Sequence, residues 1–390
     1  MKQNTTTYLK EFMGQFASNT GLKPERQHPK RYLWTDAFAV CNYLELYNLT
    51  GDKSYLDLAL KLIDQVHNVL GKKHTSGGNF GWISGLGEKD GEMHPTIGGL
   101  RIGKEMNERL PNEPFNDRLE WDRDGQYYHY LTKWMHALYN TSKVTEDLKY
   151  VKWALELAKT AQARFTYVPH QGARKRMYWK MSIDLTRPLV PSMGQHDPLD
   201  GYVTYNELQG GIRNLGVLKS TETSLEHEIM DMKDICGGMT FPTDDPLGIG
   251  GLLTDATRIT QLILDGDIKH IKLLKEVLDS SIIGLKSYTL NNPMDLFADN
   301  RLAFRELGLS IGLKGFEMII DLINTNPELS VEKILLKSIK DLKEYIGLGN
   351  TIQMFWMDRK NRETRNWVEH RDINTVMLAT SLAPEGFLRI

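Results

Sequence analysis

Apolar residues recur along this chain at helical spacing, and the helices they predict come in two alternating kinds. Trp34 to Leu49 is apolar nearly all round (Ala37, Phe38, Val40, Tyr43, Leu44, Tyr47), with a single interior charge at Glu45. Tyr55 to Leu70 instead carries one stripe, Tyr55, Ala59, Leu62, Val66 and Val69, with Lys61, Asp64 and Asn68 turned away. The contrast repeats. Gly125 to Tyr139 is aromatic-rich with only Lys133 charged, and the striped segment Glu146 to Arg164 follows it. Gly201 to Leu215 precedes the highly charged Glu222 to Asp234, Gly251 to Leu264 precedes the lysine-rich Lys269 to Lys286, and Leu302 to Phe316 precedes Val331 to Tyr345. Arg371 to Leu382 closes the series, and Thr5 to Ser18 supplies the remaining striped helix.

A helix apolar on every side must be covered on every side, whereas a striped one lies outside. Alternation of the two therefore predicts an all-α (α/α)6 toroid, an inner ring wrapped by an outer one, as a single domain over residues 1–390. No segment alternates with period two for long enough to predict a principal sheet. Inner-to-outer links are tight, as at Leu49 to Lys53. Outer-to-inner links are long (Gly71 to Arg123, Tyr167 to Leu199, Gly347 to Glu369), and their Trp, Gly and Pro content predicts order. Antiparallel packing gathers these long links on the face where inner helices begin, which is where a site is expected.

Composition narrows the function classes. With 41% hydrophobic and 25% charged residues and a net charge of -2, the chain has no general attraction for nucleic acid or an anionic membrane. It has no apolar run long enough to span a bilayer and no apolar leader at Met1 to Gln15, so the expected location is cytoplasmic. Cys41 and Cys236 fall in apolar helical patterns and read as buried free thiols. No His or Cys spacing predicts a metal site, and no cofactor is expected.

The candidate chemistry lies in carboxylates at the inner-helix starts. The stretch Trp121-Asp122-Arg123-Asp124-Gly125-Gln126-Tyr127-Tyr128-His129-Tyr130 joins two carboxylates to a run of aromatic rings. Asp36, Asp197, Asp200, Asp255, Asp299 and Asp372 stand at other starts, where capping is the simplest role. Asp124 and Asp200 go further: each has a second carboxylate nearby, and a glycine follows it that would let a ligand approach. Glu207, seven residues after Asp200, projects from the same side and needs a partner, for which Arg213, Arg258 and Arg305 are candidates. Asp124 and Asp200, with Glu207 as substitute, are thus the expected acid/base groups. Trp34, Asp36, Trp82, Trp121, Asp122, Gln126, His129, His196, Asp197, Arg305, Glu306 and His370 are the expected substrate contacts. Six tryptophans (34, 82, 121, 179, 356 and 367) fall at the proposed mouth, a placement suited to stacking on sugar rings. Two look-alikes fail: His370-Arg371-Asp372 lacks the rest of a kinase signature, and Gly248-Ile249-Gly250-Gly251 follows no strand and lacks a phosphate lysine.

The alternating helices and aspartate-rich helix starts resemble the six-hairpin glycosidase-like superfamily, and Trp121 to Tyr130 and Gly194 to Gly201 look like stretches of its uncharacterised bacterial members. That resemblance implies a carbohydrate substrate and a choice among inverting glycoside hydrolase, unsaturated glucuronyl hydrolase, polysaccharide lyase and sugar 2-epimerase. Three readings follow. An inverting hydrolase requires two pocket carboxyls about 6.5–9.5 Å apart. An epimerase of the N-acylglucosamine 2-epimerase type requires two bases across one carbon, with His196 and His370 as candidates. A non-catalytic carbohydrate-binding toroid requires every carboxylate to be taken up in caps and ion pairs.

Overall fold

The computed structural model describes residues 2–74, 81–214, 224–290, 292–326, 329 and 333–390; the expected helix boundaries at Leu215, Glu222 and Val331 lie outside them. The chain forms two compact units, one of Thr20–Met239 and one of Met1–Asn19 with Thr240–Ile390.

The Thr20–Met239 unit is built from helical hairpins. Helix α2 (Leu33–Thr50) packs on α3 (Lys53–Leu70), α6 (Tyr128–Thr145) on α7 (Leu148–Phe165), and α8 (Asp197–Asn214) on α9 (Glu226–Cys236). The first member of each pair is the all-round apolar one, and α6 touches both α2 and α8. Burial follows the sequence pattern: α2 is buried from Leu33 through Leu44, whereas α3 buries one face through Ala59, Leu62, Ile63 and Val66. Glycines let α6 and α8 approach, since a Cβ at Gly201 would strike the Tyr128 ring and one at Gly211 the Tyr139 ring. Tyr128 and Tyr205 then join hydroxyls across this seam at 2.8 Å.

Short elements fill the long links. The first holds α4 (Glu88–Met93) and α5 (Asp117–Asp122). The second holds strands β2 (Thr166–Tyr167), β3 (Arg176–Met177), β4 (Lys180–Met181) and β5 (Pro188–Val190). Together with β1 (Gln126–Tyr127), β4 and β5 make a small antiparallel sheet in which Tyr127 stands opposite Lys180. Strands of two or three residues are too short to show a period of two.

In the other unit α12 (Ala303–Thr325) is central, packing on α10 (Pro246–Leu264), α14 (Ile346–Met357) and α16 (Arg371–Leu382), while α11 (Ile271–Leu290) covers α10 and meets α13 (Lys333–Lys343). Gly250 and Gly312 bring α10 and α12 to backbone contact, because a Cβ at Gly250 would meet the carbonyl of Gly308. Helix α1 (Lys2–Thr20) buries Leu9, Phe12, Met13 and Phe16. Helix α14 corrects an expectation: the link from Gly347 to Glu369 is mostly helical, ending in α15 (Arg365–Glu369), because Ile346 to Met357 is apolar apart from short polar positions and buries Ile352 and Trp356. Both cysteines are buried thiols outside any disulfide.

Candidate active site

Aspartates do cap helices here, but largely the outer ones. Asp52 accepts from the Ser54 amide at 2.9 Å to start α3, and Asp147 from the Lys149 amide at 2.9 Å to start α7. Among the inner helices, α10 is capped by Asp245 on the Gly248 amide at 3.3 Å. Asp255 therefore lies mid-helix, buried 3.9 Å from Arg258, rather than at a helix start. Asp299 is exposed in a short turn ahead of α12, and Asp372 is half-buried in the first turn of α16.

Asp124 is fully buried. Its carboxylate is ion-paired with Arg101 and accepts from the amides of Gly103 (3.1 Å) and Gly125 (3.0 Å). Arg101 spends its other donors on the carbonyls of Lys72 and Val69, both at 2.8 Å. The pair thus pins the first long link to the segment that leads into α6. Gln126 is a second bracket rather than a substrate contact: its carbonyl accepts from the Leu100 amide (2.8 Å) and its amide donates to the carbonyls of Gly98 (3.1 Å) and Ile183 (2.7 Å). Asp36 is buried too, 3.3 Å from Arg31 and accepting from the Tyr32 amide. Glu207 meets His136 at 2.7 Å, out of solvent, while the far nitrogen of that imidazole meets Asn140 at 2.9 Å.

The other unit holds Arg305, Glu306 and His370. Glu306 is buried, gripped by Arg301 (2.7–3.1 Å) and by the Trp356 indole (2.8 Å). Arg305 pairs with Asp245 at 2.8 Å, and the exposed His370 lies edge-on to Phe304.

The tryptophans divide by exposure. Trp34, Trp82, Trp356 and Trp367 are buried and belong to packing, Trp82 against Gly91 and Trp356 against Trp367 at 5.5 Å. Trp121 is 43% exposed, and Trp179 is half-buried beside it, ring centroids 4.9 Å apart and perpendicular. Asp122, next to Trp121, is exposed. Tyr127 continues the wall 6.3 Å from each indole, and His129 and Tyr130 extend it from Tyr127 at 5.4 and 5.2 Å. Tyr130 shares a hydroxyl hydrogen bond of 2.7 Å with Tyr32.

Lys180 supports this wall from behind. Its ammonium, fully buried, donates to the carbonyls of Glu120 (2.5 Å) and Arg123 (2.8 Å), lies 3.2 Å from the Glu120 carboxylate and sits under the Tyr127 ring. Burial drives its pKa down to about 8 despite that carboxylate. Sequence reasoning passed over Lys180; its one signal was a lysine between Trp179 and Met181 in an otherwise ring-rich link.

At the foot of the wall stand Asp197 and Asp200, three residues apart and so on one face of α8. Thr132 donates to one oxygen of Asp200 and Lys133 to the other, the latter at 2.6 Å. Asp197 is different. Its Oδ1 lies 3.5 Å from His129 Nδ1, and its Oδ2 is buried without a hydrogen-bond partner among the described residues, as is His129 Nδ1. Gly194 makes room for this carboxylate, since a Cβ there would lie 2.5 Å from it. Both aspartates are within electrostatic reach of the Tyr128 hydroxyl, whose pKa is raised well above the usual phenol value, first by burial, then by Tyr205, Asp200 and Asp197. His196 is half-buried, and its carbonyl accepts from the Asp200 amide at 3.0 Å. Among the described residues, no group of three or more His, Cys, Asp or Glu is placed to hold a metal ion, and no helix is long and apolar enough to cross a membrane.

No family model matches the chain, and no curated protein does. Solved structures are similar in fold. The GH76A alpha-1,6-mannanase from Salegentibacter sp. HEL1_6 aligns at a TM-score of 0.51 and 12% identity, over 97% of this chain and 99% of that one. A GH76 alpha-mannanase from Bacteroides thetaiotaomicron aligns at 0.54 and 10% identity, over 99% and 97%. A cellobiose 2-epimerase from Spirochaeta thermophila aligns at 0.47 and 11% identity, over 95% and 97%. The fold is the (α/α)6 toroid of alternating inner and outer helices.

Proposed function

From a six-hairpin glycosidase-like fold that presents an aromatic wall above two helix-borne aspartates, we propose that this protein is a carbohydrate-active enzyme that hydrolyses a glycosidic bond. The observation that carries the reading is the Asp197–His129 pair. Buried polar atoms are nearly always satisfied, and those that are not usually have a task. Here a carboxylate oxygen and an imidazole nitrogen are both left open, at the base of rings suited to a sugar face.

In this reading a sugar stacks on Trp121 and Trp179, and Asp197, poised by His129, transfers the proton. The glycosidic C–O bond breaks as the leaving oxygen takes that proton, water forms the new bond to the anomeric carbon, and the water's proton passes to the second carboxylate. Asp200 is that second carboxylate. Thr132 and Lys133, donating to its two oxygens, hold it in register. Asp124 and Glu207, the other expected acid/base groups, act on this reading as parts of the scaffold.

The test is a panel of mannosides, glucosides and oligosaccharides assayed for new reducing ends, with Asp197→Asn beside the parent. Turnover should fall by about 10²-fold or more, as loss of a general acid does, with an unchanged melting temperature. Activity surviving in Asp197→Asn, or an inactive parent across the panel, would sink the proposal. A second reading draws on the imidazole itself: His129 beside a carboxylate could abstract a proton next to a sugar carbonyl. Deuterium appearing at C2 of a free sugar in D2O, without new reducing ends, would select it.

A further inference from the structure

A cavity of about 1030 Å3 opens in the Thr20–Met239 unit, and it shares no lining residue with the aromatic wall or its aspartates. Helix α3 supplies one side through Asp64, Gln65 and Asn68, and the start of the first long link supplies another through Lys72, Lys73 and His74. Nearly all of its lining is polar or charged.

Two features of this lining are left open. Gln65 is 8% exposed, and although its amide nitrogen reaches Glu25 at 3.5 Å, its carbonyl oxygen is buried with no hydrogen-bond partner among the described residues. An acceptor in that state calls for a donor such as a ligand hydroxyl. The cations are also unevenly matched. Lys61 is held by Glu25 at 2.9 Å, Lys72 by Glu88 at 2.5 Å and Arg101 by Asp124, but Lys73 has no ion-pair partner among the described residues. The one lining acid outside these pairs, Asp64, has its carboxyl pKa pushed up by burial, which softens its repulsion of an anion.

We propose that this cavity is a second ligand site, taking a small anion that carries hydroxyl groups, of the chemistry of a sugar phosphate or a sugar acid. Its hydroxyls meet Gln65 and its charge meets Lys73. The site stands on residues separate from those of the proposed hydrolytic centre.

Isothermal titration of the full chain with D-glucose 6-phosphate, D-glucuronate, inorganic phosphate and D-glucose tests this. At least one of the two hydroxylated anions should bind at least tenfold more tightly than phosphate and than glucose. Lys73→Glu should weaken that binding at least tenfold and Gln65→Leu at least threefold, both with parental melting temperatures, while Trp121→Ala leaves it unchanged. Phosphate or glucose binding as tightly, no binding by either anion, or loss in Trp121→Ala with retention in the two cavity variants would each overturn the assignment.

Discussion

Replacing Asp124 by asparagine separates a scaffold role from a chemical one. The substitution preserves size, and the asparagine oxygen can still accept from the amides of Gly103 and Gly125. What disappears is the negative charge facing Arg101, whose guanidinium is held in place by the carbonyls of Lys72 and Val69. Removing one partner of a buried ion pair costs roughly 3–5 kcal/mol because the other charge is left uncompensated. With two amide hydrogen bonds retained, the lower end applies, about 3 kcal/mol. In a unit the size of Thr20–Met239, each kcal/mol shifts the melting temperature by about 2–4 °C, so Asp124→Asn should melt roughly 6–12 °C lower. Calorimetry reads the midpoint, and turnover measured well below it should stay within about threefold of the parent's, since such a loss is a small fraction of what a general acid supplies. Adding Arg101→Met should recover part of the stability, giving a coupling energy above about 1 kcal/mol. An unchanged midpoint with lost turnover would refute this and return Asp124 to the chemistry.

Two further outcomes follow from the same contacts. Trp121→Ala removes an exposed ring from the wall and should raise KM about three- to tenfold with little change in kcat or stability, as loss of about 0.5–1.5 kcal/mol of ring contact implies; an unaltered KM would remove the wall from substrate binding. His67 is buried, accepts from the Trp134 indole at 3.1 Å, and has its pKa driven by burial to about 3. Between that value and the ordinary 6.5 the unfolded chain binds a proton that the folded chain refuses, so stability falls as pH drops through this window. At pH 5 the penalty is roughly 2 kcal/mol; urea titrations of His67→Gln should show a correspondingly flatter pH dependence, and identical slopes would refute the linkage.

Much of the fold was legible because periodicity is a local signal. The distinction between α2, apolar on every side, and α3, striped, survives directly as burial. What was not legible depends on partners distant in the chain. Nothing near Asp124 in sequence announces Arg101 in the preceding link, and nothing near Glu207 announces His136 on another helix. The glycine after Asp124, read as room for a ligand, serves a close approach of backbone: its φ is +149°, and a Cβ there would lie 2.8 Å from the carbonyl of Met181. The short sheet that sets Tyr127 opposite Lys180 was invisible for the same reason, since strands of two residues carry no period.

These distant pairings also sort the carboxylates by what they can still do. A buried carboxylate needs a compensating positive charge or several donors. Asp36 has Arg31, Asp124 has Arg101, Glu120 has Arg109 and Lys180, Asp200 has Lys133, and Glu306 has Arg301. Each of these cations ties the carboxylate beside it into the fold, and the one beside Asp200 also holds in register the group read here as the proton acceptor. Asp197 is buried against an imidazole instead, with one of its oxygens open. Unlike a guanidinium, an imidazole can take up and give back a proton. Proton transfer requires that freedom, and an arginine in place of His129 would remove it. Glu207 also faces an imidazole, but His136 is hydrogen-bonded to it at 2.7 Å out of solvent, so the reading of Asp197 as the reactive acid rests less on its position at a helix start, which other aspartates share, than on the open oxygen the fold has left beside His129.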